Sequence, residues 1–453
     1  MSCEEKDKPS HRLGFQGGRM TNKTVETEDL KYIWHPCTQM KDHENIPLIP
    51  IKKGRGMYIE DFEGNVYLDG ISSWWVNNLG HCNPYITKKI KKQLDTLEHV
   101  IFAGFTHKSA VQLSKKLVKI TPDGLNKVFY ADNGSSGIEV ALKLSYHYFK
   151  NINENRPYFV SLKNSYHGET LGALAISDTG LYKEVYSDIL INSLHVLSPK
   201  DQSEDEALNA IKDLEILLES RHKEICAFIV EPLVQCAGGM NMYHRLYLSK
   251  AKEICEKYGI FFIADEIAVG FGRTGNLFAC ESADISPDIM LLSKGLTGGY
   301  LPLCAVMISD KIYDSFYCDY SSGKNFLHSH SYTGNPLCCT AALATIKYLE
   351  KFDIIAKNQR KIKQISKELQ RFKTLSNVKD IRQTGMIAAI ELDGYNSSDR
   401  IGLKINQYCL KKGLFIRPLG NVVYFMPPFI IKKDEIKWAF DVIYEAIERN
   451  GNW

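Results

Sequence analysis

A series of short apolar runs, separated by segments with helical spacing, constrains this chain more than any other feature. In order come "KVFYAD", "YFVSL", "CAFIVEP", "IFFIADE", "DIMLLSKG" and "LCAVMISD". Each is strand-sized, and each is too uniformly apolar for a strand with one wet face. Between them, "HRLYLSKAKEICEKYG" repeats Tyr247, Ala251, Ile254 and Tyr258 on one helical face and closes at Gly259. "KVFYADNGSSGIEVALKLSYHYFK" reads as strand, glycine turn and helix. Strands spaced by helices predict an α/β fold with a mostly parallel sheet covered on both faces.

The 453 residues can bury a large core and predict more than one part. Residues 1–20 read as a disordered tail. Residues 21–75, with "GMYIEDFEGNVYLD", read as an N-terminal segment that packs with a small domain. Residues 76–340 form the expected large domain. Residues 341–453, where helices precede "GMIAAIEL", "GLFIRPLG" and "VVYFMPPFII", form the expected small α+β domain.

With 56 basic and 53 acidic side chains and no basic stripe, the chain does not read as a nucleic-acid binder. No apolar stretch is long enough to span a bilayer. The twelve cysteines include no C-x-x-C pair and sit mostly in apolar runs, the pattern of reduced core thiols rather than a disulfide framework or metal site. The first twenty residues lack the apolar core of a signal peptide, so a cytoplasmic location is expected.

In open α/β sheets ligands bind beyond the carboxyl ends of the strands. Four such ends carry candidates: Gly134–Ser135, Tyr166–His167, Asp265 and Lys294. "GFGRTG" at 270–275 matches a dinucleotide fingerprint literally. However, Asp265 to Val269 separate it from the strand, and the sequence after it is too broken for the required helix. "SKG" reverses the order a P-loop needs. Pyridoxal phosphate suits these residues better. Its chemistry requires a lysine to bind it and a carboxylate beside its pyridine nitrogen. Lys294 at a strand end can be desolvated, Asp265 can face the pyridinium, and "DNGSSG" opens a helix that can receive a phosphate. Tyr166 can stack on a flat ring. No proton-transfer role falls to His81, His167 or His328.

"FFIADEIAVGFGRTGNLFACE…PDIMLLSKGLTGG" closely resembles the signature of class III, fold-type I pyridoxal-phosphate aminotransferases, and the likeness runs from about Trp34 to Pro428. "IWHPCTQM", "DGISSWWVNNLGH", "NSYHGET", "FIRPLG" and "VYFMPP" are most similar to members that aminate 8-amino-7-oxononanoate in biotin synthesis. The resemblance implies a fold-type I transferase whose large domain holds a mostly parallel seven-stranded sheet, with a smaller α+β domain built from both chain ends. It implies a Schiff base on catalytic Lys294, with Asp265 on the pyridinium and Tyr166 on the ring. Gly134 and Ser135 would hold the phosphate, joined by Ser331 from the partner subunit of a homodimer that shares its active sites, and His330 would also bind the cofactor. Glu231 would lie near the cofactor. Trp74, Tyr166, Ser329, Tyr424, Cys37, Glu169 and Arg273 would surround the substrate, and Arg417 would bind its carboxylate.

S-adenosylmethionine is the donor the resemblance favours, in a ping-pong cycle. Cys37 stands where a tyrosine is expected and Glu169 where aspartate is usual, whereas Tyr424 agrees with the adenosylmethionine-using type. A lysine-using variant and another class III ω-aminotransferase of the ornithine or 4-aminobutyrate type are the alternative readings. A cofactor-binding protein without catalysis is a further one.

Overall fold

The computed structural model describes residues 20–449. The expected tail over residues 1–20 therefore lies outside the described residues, Met20 excepted. The chain forms two compact units, one of residues up to Gly54 with Ile59–Val66, the other of Arg55–Tyr58 with the residues from Tyr67 onward. In the smaller unit Thr21 caps the helix Asn22–Tyr32, accepting from the Thr24 N–H at 3.2 Å, and Asn22 donates to Asp61 at 2.9 Å.

The larger unit is built on a seven-stranded sheet. Its strands are β1 (Leu125–Ala131), β2 (Tyr158–Leu162), β3 (Leu194–Val196), β4 (Ile225–Val230), β5 (Phe261–Asp265), β6 (Ile289–Leu292) and β7 (Cys304–Ser309). They lie in the order β1-β7-β6-β5-β4-β2-β3. Neighbours from β6 through β3 are parallel, and β7 runs antiparallel to both β6 and β1. All six apolar runs of the sequence are strands. The seventh, "LHV", is three residues long and only partly buried, so it leaves no run to recognise.

Alternate residues feed two cores. Phe261, Ile263, Ile289, Leu291 and Val306 pack with helix α1 (Gly134–Asn151). Phe262, Ala264, Met290, Leu292 and Met307 join the core shared with α2 (Glu204–Arg221) and α3 (Leu246–Tyr258). Each fully buried large side chain contributes about 1.5–3 kcal/mol, and both faces being dry accounts for the unbroken apolar runs. Gly137 of α1 has no room for a side chain, because a Cβ there would press into the Cys304 sulfur and lie 3.3 Å from Leu291.

Beyond α4 (Pro336–Lys351) come α5 (Ile354–Leu369) and an antiparallel sheet of β8 (Val378–Thr384), β9 (Ile387–Leu392) and β10 (Val422–Phe425), with α6 (Ile401–Lys411) and α7 (Lys433–Glu448). Strand β8, "VKDIRQT", is too polar to stand out in the sequence. The short strand Leu414–Phe415 pairs in parallel with Leu68 and Asp69, which fixes Arg417 just beyond it. Among the described residues no helix is long and apolar enough to cross a membrane, and no group of three or more metal-binding side chains converges. The described cysteines are all free, eight of them buried.

A polar network anchors the loop after β2. Lys183 donates to the carbonyls of Ala175 and Ser177, each at 2.8 Å, and lies 3.1 Å from His195 Nε2. His195 Nδ1–H donates to Ser161 Oγ at 2.9 Å. Burial and the adjacent Lys183 ammonium push the imidazole down to about 4.

Two outcomes are expected. Gly137→Val should destabilise the protein by about 1–3 kcal/mol, read as a lower denaturation midpoint, because α1 must lift from the sheet. His195 is neutral when folded and binds a proton more readily unfolded. The stability it contributes is therefore complete above about pH 6.5 and is lost as pH falls through that value to about 4. Thermal melts of His195→Gln should lose less stability than the parent over that interval.

Candidate active site

The polar groups that the sequence puts at strand ends converge on one cavity of about 470 Å³ at the carboxyl edge of the sheet. Gly134, Ser135, Tyr166, Glu169, Glu231, Asp265 and Lys294 all line it. Apolar walls come from Val234, Ile267, Leu301 and Leu303. The topology explains the convergence. Parallel strands β2, β4, β5 and β6 are adjacent and end on the same side, and Asp265 is level with Leu291, three residues before Lys294.

Lys294 follows β6 in a left-handed backbone conformation, φ 42°. Its Nζ lies 4.7 Å from the centre of the Trp75 ring and has no ion-pair partner within 4.0 Å among the described residues. Burial lowers its amine below the ordinary lysine range, against the pull of Cys236, Asp265 and Glu231. A neutral amine with an available lone pair is the form that attacks a carbonyl.

Asp265 is buried and fully engaged on its own side of the cavity. His167 Nδ1–H donates to Oδ2 at 2.7 Å, and the Ile267 N–H donates to Oδ1 at 3.1 Å. Such bonds fix the orientation of the carboxylate. Glu231 has a different environment. Burial raises its carboxyl well above the usual range, and the Asp265 charge adds to the effect. Its oxygens accept from the backbone N–H groups of Tyr166 and Cys236, each at 3.3 Å.

At the far wall, Asn133 caps α1 by accepting from the Ser136 N–H at 3.0 Å. The first turn of this 18-residue helix, Gly134–Ser135, opens onto the cavity with N–H groups that have no partner within the helix. Ser135 Oγ accepts from the Thr170 N–H at 3.0 Å. Gly168, at φ 136°, lies so close to Ser135 that any side chain would collide with it. The Tyr166 hydroxyl donates to Glu169 at 2.8 Å on the exposed lip. A desolvated lysine, a fixed carboxylate and a helix N-terminus around one apolar slot fit pyridoxal phosphate.

Trp75, rather than Trp74, lines this cavity. The reason is local. Ser72, Ser73, Trp74 and Trp75 all have positive φ, at 53°, 46°, 70° and 73°. A left-handed turn of four non-glycine residues costs about 1–2 kcal/mol per residue and must be held by its surroundings. It buries Trp75, whose Nε1–H donates to the Tyr424 hydroxyl at 3.1 Å. It leaves Trp74 39% exposed, with the Arg417 guanidinium 4.8 Å from its ring centre.

Other expected site residues lie elsewhere. Tyr424 is buried behind Trp75. Arg273, 1% exposed, does not line the cavity and donates to Pro427 O, Ser72 Oγ and Asn78 Oδ1, each at 2.6 Å. Burial pulls its guanidinium down to about 9. Ser329, His330 and Ser331 occupy an exposed to half-buried loop outside the cavity wall, with His330 3.4 Å from Asp132 and His99 donating to Ser331 O at 2.8 Å. Cys37 is exposed in the smaller unit at φ 48°. The sequence places His167 at a strand end without marking its bond to Asp265, and does not single out Trp75. The adjacency of His167 to Tyr166 at a strand end was the available signal for the first.

The aminotransferase class-III family pattern matches residues 38–447. The chain is similar to the adenosylmethionine-8-amino-7-oxononanoate aminotransferase of Helicobacter pylori, 48% identical over 426 residues that cover 93% of this chain and 97% of the relative. The crystal structure of the Methanocaldococcus jannaschii protein of the same name superposes with a TM-score of 0.91 at 37% identity, covering 94% of this chain and 99% of that one. An omega transaminase from Pseudomonas jessenii, solved in complex with PMP, superposes with a TM-score of 0.89 at 28% identity, covering 95% and 98% of the two chains. Fold, site and sequence agree, and this chain belongs to the class-III aminotransferase family.

Proposed function

We propose that this chain is a pyridoxal-phosphate aminotransferase that transfers an amino group to 8-amino-7-oxononanoate, giving 7,8-diaminononanoate for biotin synthesis, with S-adenosylmethionine as the donor. The observation that carries the reading is the meeting of Lys294, the Asp265–His167 pair and the α1 N-terminus in one cavity, in a chain 48% identical to a relative of that name. Pyridoxal phosphate supplies a carbonyl that takes up amino groups reversibly and a ring that withdraws electrons from the reacting carbon.

The chain's residues do the rest. Lys294 Nζ, its pKa lowered by burial, binds the cofactor as a neutral amine. Once displaced, the same atom takes the proton from the donor's carbon and later returns one to the acceptor's. Asp265 would face the ring nitrogen, its carboxylate held in place by His167 Nδ1–H and the Ile267 N–H. Burial raises the Glu231 carboxyl, which weakens its pull on the Lys294 amine, and its Oε2 accepts from the Tyr166 N–H. Gly134 and Ser135 offer helix N–H groups to the phosphate. Tyr166, tethered at its hydroxyl by Glu169, would lie against the ring. The apolar walls exclude water and suit a long aliphatic acid, whose carboxylate Arg417 receives beside Trp74.

The working unit in this reading is a homodimer. Tyr317, Tyr320, Leu327 and Tyr332 are 64–92% exposed in the segment that holds Ser329, His330 and Ser331. Exposed apolar groups so concentrated suit burial against a second copy, with those three residues reaching its cavity.

The cofactor-bound protein should lose its visible absorbance as a donor discharges its nitrogen. Adenosylmethionine should bleach it and lysine should not; the reverse result assigns lysine as donor. Lys294→Ala should abolish the covalent cofactor absorbance, and a variant that keeps it refutes the reading. Arg417→Ala removes a charge-assisted contact worth about 1.5–3 kcal/mol, so KM for the keto acid should rise about 10–100-fold with kcat little changed in steady-state kinetics.

A further inference from the structure

The Ser72–Trp75 turn is strained, yet its two tryptophans touch the two groups that the proposed reaction uses most. Trp75 lies against the Lys294 amine and Trp74 against the Arg417 guanidinium, at 4.7 and 4.8 Å to the ring centres. The question is what holds four residues in a conformation that none prefers.

Asp69, completely buried, supplies most of the restraint from one side. Its Oδ1 accepts from the N–H of Ile71 at 3.2 Å and of Ser73 at 2.9 Å. Its Oδ2 accepts from Ser73 Oγ at 2.7 Å and from His81 Nε2 at 3.0 Å. Four donors on one carboxylate leave it little freedom, and two of them belong to the turn itself. Arg273 supplies the other side. It donates to Ser72 Oγ at 2.6 Å, and that hydroxyl donates to Met426 O at 2.8 Å. The same guanidinium binds Pro427 O and Asn78 Oδ1, so the turn is tied to the chain leaving β10. Burial alone would raise the Asp69 carboxyl, but the bonds from His81 and Ser73 win and hold it below its usual range. The brace is therefore anionic on one side and cationic on the other.

We propose that Asp69 is a positioning residue which, with Arg273, sets the chain length of the keto acid that the site accepts. By holding the left-handed turn it fixes Trp75 at the amine that acts on the carbonyl end and Trp74 at the arginine that receives the carboxylate. The two ring contacts, on adjacent residues, fix the span between those groups. The inference rests on the roles given above to Lys294 and Arg417.

The test compares 8-amino-7-oxononanoate with a homologue two methylenes shorter. One methylene in a fitted apolar site is worth about 10–200-fold in kcat/KM, so the parent enzyme should discriminate strongly. Asp69→Asn replaces one acceptor oxygen by a donor and should relax the turn. Discrimination should fall at least about tenfold, through KM more than kcat, a loss the size of one methylene. In the holoenzyme, the pH midpoint of the Lys294-linked cofactor absorbance should shift, because Trp75 no longer sits against the amine. Adding Ser73→Gly to Asp69→Asn should restore part of the discrimination, since glycine adopts positive φ without strain.

Ser73→Ala, which deletes a single hydroxyl donor, should act in the same direction and covers the case in which Asp69→Asn fails to fold. Folded Asp69→Asn, or in its place folded Ser73→Ala, with unchanged length discrimination and an unchanged titration overturns the proposal. Failure of the underlying reading looks different. In that case Lys294→Ala keeps the cofactor absorbance, or Arg417→Ala leaves KM untouched, whatever the Asp69 variants do.

Discussion

Desolvation of the Lys294 amine is the interaction on which the site depends. In water a lysine amine is almost wholly protonated at neutral pH and cannot attack a carbonyl. The sheet removes it from water by ending β6 among side chains that bury the cavity wall, and the nearby carboxyls do not reverse the effect. Two acidic side chains line the same cavity. Asp265 is held in place by His167 and the Ile267 N–H, whereas burial and Asp265 together push the Glu231 carboxyl up and so weaken its pull on the amine. Were both ionised, their combined field would favour the ammonium and disarm the lysine.

The same fold that dries the lysine stores strain next to it. Lys294 itself and the four residues Ser72–Trp75 have positive φ without being glycine. Such conformations persist only where surrounding bonds over-determine them. Here the bonds come from buried groups of opposite charge, Asp69 and Arg273, each satisfied by several partners. The wall that faces the lysine is thus stiff, and stiffness lets an aliphatic slot measure length instead of adapting to it.

Much of this was legible before any coordinates. The six apolar runs identify six strands of the sheet, because burial on both faces leaves no polar alternation to confuse them. Lys294, Asp265, Tyr166 and Gly134–Ser135 could be placed together because parallel strands put their carboxyl ends on one edge. The edge strand "LHV" and the polar strand β8 were hidden because their burial is partial and their stabilisation comes from pairing. The exchange between Trp74 and Trp75 was invisible for another reason. Periodicity assigns faces on the assumption of ordinary φ, and a left-handed turn inverts which of two neighbours points inward. Arg273 had the sequence signature of a site-edge cation, but its hydrogen-bond partners lie some 150 to 200 residues away in the chain.

The departures from the family pattern can be weighed in the same physical terms. Glu169 is one methylene longer than the aspartate expected there, and its carboxylate is engaged by the Tyr166 hydroxyl on the exposed lip of the cavity. Part of its acceptor capacity therefore goes to holding the Tyr166 ring, and less is left to recognise a donor. Removing one hydrogen-bond partner from an exposed acceptor is a small perturbation, because water replaces it, whereas a charge deep in the cavity has no such substitute. On the proposed reading, selectivity among donors that differ at the lip should be shallow, and selectivity for the acceptor, whose span the braced turn would fix, should be steep. A class-III site can change its nitrogen source by altering lip residues while the acceptor that defines its pathway stays the same.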